Sequence, residues 1–226
     1  NNCHLNIERI ISKPFLQGLK KMNNEKREKA FVMIDMKKNK SNISVFSNLS
    51  FIYFQKFNFG TDIIMRDISK VCSLNFESVK NIFSELKFDS IKDEKNEKYL
   101  DKKYFQDSNF RKISLSHLED IILARSDELV NLIYKKNINL KNLKNKIEFI
   151  YLSFEDYNIS ENLLKNFEKI FLKENNIKIE KMTQDEHLDS CLSSAELIGK
   201  GWEKEAIPII QTKTSIISRI FSVFFK

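Results

Sequence analysis

The sequence predicts a mixed α/β fold, and the order of its strand-like and helical segments supports that prediction. Three runs rich in β-branched and aromatic residues, at 31–36, 42–48 and 51–57, are separated by short gaps, which favours a β-meander. Segments with the helical period follow, and a strand returns at 147–152. Strands and helices in this order are typical of a mixed sheet flanked by helices.

The elements follow in chain order. The first strand is apolar up to Asp35, which indicates burial on both faces. Ser116 and Glu119 have the spacing of a capping box at the start of the strongest helix, 115–134. The apolar stripes of the predicted helices include Val71 and Leu132. Further helices are predicted over 61–71, 75–86, 160–172 and 188–200, with a short strand at 177–179 and a charged loop over 89–112.

Composition excludes several classes of function. The chain has 226 residues, of which 42% are hydrophobic and 31% are charged, so one or two domains with a real core are expected. Only four glycines occur, and neither glycine-rich phosphate motif is present. The cysteines Cys3, Cys72 and Cys191 are far apart, which argues against disulfides and a zinc site and fits a reducing compartment. The histidines also lack metal-ligand spacing, so no metal site is predicted.

The net charge of +7 is interpreted as a solvated lysine-rich surface. No RNA-recognition, zinc-finger or basic-zipper pattern accompanies the charge, so no nucleic-acid partner is expected. No apolar run is long enough to span a membrane.

Residues 215–226, with the sequence SIISRIFSVFFK, form a separate basic amphipathic segment after a linker that contains Pro208. A helix with one apolar face and one basic face is typical of the membrane interface, where anionic lipid attracts the basic residues. Docking back on the domain and disorder are the alternatives. The predicted membrane contacts are Ile216, Ile217, Arg219, Ile220, Phe221, Phe224, Phe225 and Lys226.

Five segments match the motifs of a known family and together extend over nearly all of the chain. Residues 3–14 read CHLNIERIISKP, residues 34–46 read IDMKKNKSNISVF, and residues 57–69 read FNFGTDIIMRDIS. Residues 121–132 read IILARSDELVNL, and residues 201–208 read GWEKEAIP, ahead of the amphipathic tail. The chain therefore resembles the C-terminal half of the FtsA family, the actin-like bacterial cell-division proteins, in its alphaproteobacterial form.

This resemblance implies an actin-like (ribonuclease H-like) α/β domain with a mixed sheet flanked by helices, a small inserted lobe and a C-terminal amphipathic helix. It also implies that the chain starts inside a larger protein. The expected divisions are the end of a preceding actin-like domain at 1–29, the second domain at 30–58 and 145–208, the inserted lobe at 59–144, a linker at 209–214 and the helix at 215–226.

The family's nucleotide site is altered in this sequence. Family members bind ATP through glycine loops whose backbone approaches the phosphates. Here Lys-Lys-Asn replaces the three glycines after Asp35, Lys40 replaces the next threonine, and one glycine of a pair is kept as Gly60. The second loop falls at 152–156, without glycine. The resemblance thus implies a degenerate pocket at Asp35, Lys40 and Gly60, with no catalytic residue and no cofactor. ATP with Mg, held by lysines as point charges, is the alternative.

The family's inserted lobe receives the C-terminal peptide of FtsZ, helped by an arginine in an R-x-x-E helix. Arg125 and Glu128 match those positions. Arginine suits this role because its fork can pair with a carboxylate through two hydrogen bonds. The alternative is an ordinary exposed arginine paired with Glu128 one helical turn away.

The function implied by the resemblance is that of a cell-division adaptor. It would tether FtsZ to anionic lipid on the cytoplasmic face of the bacterial inner membrane, at the division septum, and would self-associate. The first alternative is an actin-like ATP-binding protein whose nucleotide state drives polymerisation. The second is an unrelated basic α/β binding module.

Overall fold

The strands pair into a five-stranded mixed sheet. A computed structural model describes residues 11–22, 30–48, 50–86, 97–105, 109–155, 157–172, 177–182 and 186–199. The sheet order is β3-β2-β1-β4-β5, with the β1–β2 and β2–β3 pairs antiparallel and the β1–β4 and β4–β5 pairs parallel. The predicted β-meander is therefore present. The strands are β1 (Ala30–Met36), β2 (Ser41–Ser47), β3 (Ser50–Phe57), β4 (Ile147–Phe154) and β5 (Lys178–Lys181).

Helices cover both faces of this sheet. The larger core lies on the face that receives Val32 and Ile34 of β1, where α2, α3, α4 and α5 pack. The smaller core lies on the opposite face, where Phe31 and Met33 meet Phe15 of α1. The first strand is thus buried on both faces, as predicted. The helices are α1 (Lys13–Met22), α2 (Asp62–Cys72), α3 (Phe76–Glu85), α4 (Leu115–Val130), α5 (Tyr157–Leu172) and α6 (Glu186–Gly199).

The start of α4 differs from the predicted capping box. Ser114 is the N-cap, because its Oγ accepts the backbone N–H of His117 at 3.2 Å. Glu119 does not reach back to the cap; its side chain is buried at 2% exposure. The α-helix ends at Val130 and continues as one turn of π-helix, Asn131–Lys135, rather than running as a regular helix to residue 134.

Two residues assigned to apolar stripes lie at the surface. Val71 is 58% exposed because Ile64, Ile68 and Cys72, at strict i, i+4 and i+8 spacing, take the buried face of α2. Leu132 is 46% exposed on the π-helical turn, where the helical period that predicted its burial no longer applies.

Part of the predicted loop at 89–112 is firmly held. Leu100 donates its N–H to the carbonyl of Ile113 at 2.9 Å, and both side chains are buried in the larger core. Tyr104 and Phe105 are buried beside them. These buried residues were not predicted, because they lie among charged residues and follow neither the strand period nor the helical period.

The predicted domain boundaries stay predictions. Within 59–144, helices α2, α3 and α4 share the larger core with the sheet. The linker at 209–214, the GWEKEAIP motif at 201–208 and the tail at 215–226, with all of its membrane-contact residues, lie outside the described residues. Among the helices that are described, none has both the length and the apolar character needed to cross a bilayer.

Candidate functional site

The β1–β2 hairpin carries residues 37–40, which the FtsA resemblance aligns with a glycine loop. At this hairpin tip, residues 37–40, the N–H of Lys37 donates to the carbonyl of Lys40 at 2.8 Å. Among the described non-glycine residues, φ is positive only at Asn48 and Ser73. The backbone of the tip therefore needs no glycine, which explains how lysine and asparagine are accommodated there.

The hairpin tip is docked on the start of α2. Thr61 donates its N–H to the carbonyl of Lys37 at 3.0 Å, and Asp62 donates to the carbonyl of Lys38 at 2.9 Å. The first N–H groups of a helix have no partner within the helix and commonly bind anions. Here the chain itself satisfies two N–H groups at the start of α2.

Gly60 is required by this docking. A Cβ at Gly60 would lie 1.9 Å from the carbonyl oxygen of Lys37 and 2.6 Å from that of Lys38. Ser41 strengthens the same contact, since its buried hydroxyl donates to the carbonyl of Phe59 at 2.7 Å. The glycine that the sequence assigned to a phosphate site thus serves a close approach of two backbone segments.

An acidic side chain occupies the other side of the hairpin tip. The N–H of Lys38 donates to Oε2 of Glu155 at 3.0 Å. Glu155 is held there by its own N–H, which donates to the carbonyl of Met36 at 3.0 Å. This bond extends the parallel β1–β4 register, in which Met36 lies opposite Phe154, by one residue. Glu155 is a functional candidate that no motif in the sequence indicated.

The contacts of the hairpin tip disfavour a phosphate on the N–H of Lys38. A phosphate that used this N–H would have to displace Glu155, which accepts it at 3.0 Å. The phosphate would also place negative charge beside a carboxylate, and like charges at such distances repel. The lysine side chains at 37, 38 and 40 are exposed.

Asp35 lines a cavity of about 360 Å³ on the α1 face of the sheet. The Nδ2 of Asn42 lies 3.5 Å from Oδ2 of Asp35, and Lys13, Lys37 and Lys56 also line the cavity. The volume is within the range of small-molecule pockets. Asp35 therefore faces a mixed-charge cavity that borders the hairpin tip, since Lys37 of the tip and Ser153 of β4 are also in its lining.

Arg125 and Glu128 lie together at a second place, on α4. The Nη1 of Arg125 donates to Oε2 of Glu128 at 2.6 Å, and its Nε donates to Oδ2 of Asp67 on α2. The arginine side chain is only 25% exposed. The guanidinium thus joins α2 to α4, and an incoming peptide carboxylate would share it with two acidic residues.

Comparison with known proteins identifies the fold. No family model matches the chain, and no curated protein matches it. Among solved structures, apo pSK41 ParM is 15% identical with a TM-score of 0.53, covering 87% of this chain and 51% of ParM. MreB5 of Spiroplasma citri bound to AMPPNP is 12% identical with a TM-score of 0.56, covering 84% of this chain and 60% of MreB5.

The chain therefore has the actin-like fold, and the predicted fold class is confirmed. It spans about half the length of the ParM chain and three fifths of the MreB5 chain. At these identities the likeness concerns the fold alone. Assignment to the FtsA family within the actin-like proteins stays a prediction.

Proposed function

We propose that the chain is the second half of an FtsA-like cell-division adaptor that works without bound nucleotide. It tethers FtsZ to the cytoplasmic face of the inner membrane at the division septum. The actin-like fold, the GWEKEAIP motif and the amphipathic tail support the adaptor role. The contact between Glu155 and the N–H of Lys38 is the observation that supports independence from nucleotide.

The contacts of the hairpin tip explain how such an adaptor would dispense with ATP. A ligand shifts a conformational equilibrium only by its differential affinity for the two states. Here Glu155 on one side and the start of α2 on the other hold the tip with bonds from the chain itself. In the proposed adaptor this contact within the chain takes the place of a phosphate contact, and membrane attachment follows from the tail and from multivalent FtsZ contact.

Deletion of residues 215–226 is expected to abolish co-sedimentation of the protein with vesicles that contain anionic lipid. The tail supplies the apolar face and basic residues of an interfacial helix. Saturating Mg-ATP is expected to leave pelleting of the intact protein unchanged. The substitution pair Ile220→Asp and Phe221→Asp, which keeps the length, should reproduce the deletion. Unchanged pelleting of either variant would refute the tail assignment.

Arg125→Glu is expected to weaken binding of the FtsZ C-terminal peptide at least tenfold, because a charge-assisted bond contributes about 1.5–3 kcal/mol. The measurement is a peptide titration by fluorescence anisotropy. Asp67→Asn is the control, since it disrupts the pairing within the protein and leaves the guanidinium in place. Equal affinity of Arg125→Glu and the wild type would remove Arg125 from the peptide site.

The second candidate function is that of an actin-like ATP-binding protein whose nucleotide state drives polymerisation. The cavity beside Asp35, with three lysines in its lining, favours it. MreB5, one of the structural neighbours, was solved with AMPPNP. Self-association belongs to both candidate functions, so nucleotide affinity, rather than assembly, separates them.

A further inference from the structure

Five residues between α3 and α4 form a basic–aromatic patch: Tyr99, Lys102, Phe110, Arg111 and Lys112. Phe110 is 50% exposed and Tyr99 is 36% exposed, and the three basic side chains are exposed as well. Exposed apolar surface with a polar rim can mark a protein or membrane interaction site, and here two exposed rings lie among basic side chains.

The patch is held in place by the core beneath it. The ring of Phe110 packs edge-on against buried Phe105, with 5.2 Å between centroids. The Nζ of Lys102 lies 5.5 Å from the Phe110 ring centroid, and the Nζ of Lys112 lies 4.1 Å from that of Tyr99. Each exposed ring therefore carries a lysine ammonium over its face, on backbone fixed by the pairing of Leu100 with Ile113.

Acidic neighbours reduce the positive charge of this surface without cancelling it. Glu97 accepts the hydroxyl of Tyr99 at 2.6 Å, and that hydrogen bond lowers the pKa of Glu97. Glu85 pairs with Lys103 and accepts the hydroxyl of Tyr104. The basic residues on or beside the patch are Lys98, Lys102, Lys103, Arg111 and Lys112, against the acidic residues Glu85, Glu97 and Asp101.

We propose that the basic–aromatic patch is a second membrane-contact site that binds the headgroups of anionic phospholipid. The inference rests on the proposed membrane role of the tail. Aromatic rings concentrate at the membrane interface, and lysine stems lie along apolar surface while the ammonium stays at the headgroups. The paired rings and lysines of the patch provide this combination on a rigid support.

A membrane fits the patch better than a folded acidic partner because the tail has the same chemistry. Both regions combine Phe with Lys or Arg. One short anchor gives marginal, reversible attachment, and stable attachment needs two signals. A bilayer presents anionic headgroups over its whole surface, so it can bind the patch and the tail at the same time. A protein partner would need two separate acidic sites, one for the patch and one for the tail.

The test compares matched lysine pairs in the full chain. Lys102→Gln with Lys112→Gln is expected to weaken binding to phosphatidylcholine vesicles containing phosphatidylglycerol by about 30-fold, at about 1 kcal/mol per basic residue. Lys21→Gln with Lys178→Gln is the control. It has the same net charge and also removes lysines that lie over aromatic rings, Tyr151 and Phe149 of the smaller core. The control is expected to lose no more than about threefold, since screening limits distant charges.

The outcomes separate the patch from the tail. Phe110→Ser should also weaken vesicle binding, with circular dichroism confirming that it folds. Equal losses in the two lysine pairs, or wild-type binding by the Lys102 and Lys112 variant, would overturn the proposal. Loss of binding to a polyglutamate peptide, with vesicle binding intact, would overturn it in favour of an acidic protein partner. Wild-type vesicle binding by the Ile220→Asp and Phe221→Asp variant would refute the tail assignment alone, if the patch variant still loses affinity.

Discussion

Replacing Gly60 with alanine is expected to lower the free energy of unfolding by about 3 kcal/mol or more. The added Cβ would fall 1.9 Å from a backbone oxygen of the hairpin tip. Backbone cannot move aside as a flexible side chain does, so overpacking here should reach the upper end of its usual range. The hydrogen bonds from Thr61 and Asp62 to the tip would weaken together.

Urea denaturation measures this loss, and Gly199→Ala is the matched control. Within the part of the chain that the structure describes, a Cβ at Gly199, which ends α6, has nothing within 4 Å apart from its chain neighbours and the backbone of its own helix. The same change there should be neutral within about 0.5 kcal/mol, as for most surface substitutions. Similar stability of the two variants would contradict the docked hairpin tip.

Gly18→Ala should destabilise the fold by about 2–3 kcal/mol through the opposite face of the sheet. A Cβ at Gly18 would lie 2.0 Å from Cζ of Phe46. Phe46 is fully buried and stacks on Phe31 and on Phe51, each at 4.8 Å between centroids. The ring is therefore confined on several sides, and α1 would have to lift from the sheet.

A double-mutant cycle identifies the cause of the Gly18 effect. In a Phe46→Leu background the shorter side chain leaves room for the new methyl group. Gly18→Ala should then destabilise by less than about 1 kcal/mol, giving a coupling energy within the range seen for residues in contact. Additive losses would show that α1 does not pack on Phe46 as described.

The strands were predictable from sequence because their signals are local. The runs around β1, β2 and β4 are rich in β-branched and aromatic residues, and the structure pairs them as a mixed sheet. Helix faces were less predictable. On α2 the neighbouring residue Cys72 is buried and Val71 is exposed. At the start of α4, Ser114 rather than the nearby Ser116 is the N-cap. Tertiary packing determines which residue of α2 is buried and which serine caps α4, and the periodicity of the sequence does not contain this information.

In the candidate site, too, the local features were predictable from the sequence and the contacts between distant segments were not. The lack of glycine at 37–40 is visible in the sequence. The assignment of Gly60 to a degenerate nucleotide site stays a prediction, and its close approach to the carbonyl oxygens of Lys37 and Lys38 was not foreseen. The contact of Glu155 with the N–H of Lys38 was not visible, because it depends on the β1–β4 register across more than a hundred residues. The one indication of this contact in the sequence is that Glu155 directly follows β4, the strand that pairs with β1.

Nucleotide affinity of the full-length protein tests independence from ATP most directly. Isothermal titration with Mg-ATP should show no saturable binding, and Asp35→Ala should titrate like the wild type. That result would agree with Glu155, rather than a phosphate, as the acceptor of the Lys38 N–H. Micromolar ATP affinity that Asp35→Ala abolishes would contradict the proposed adaptor and favour the ATP-binding alternative.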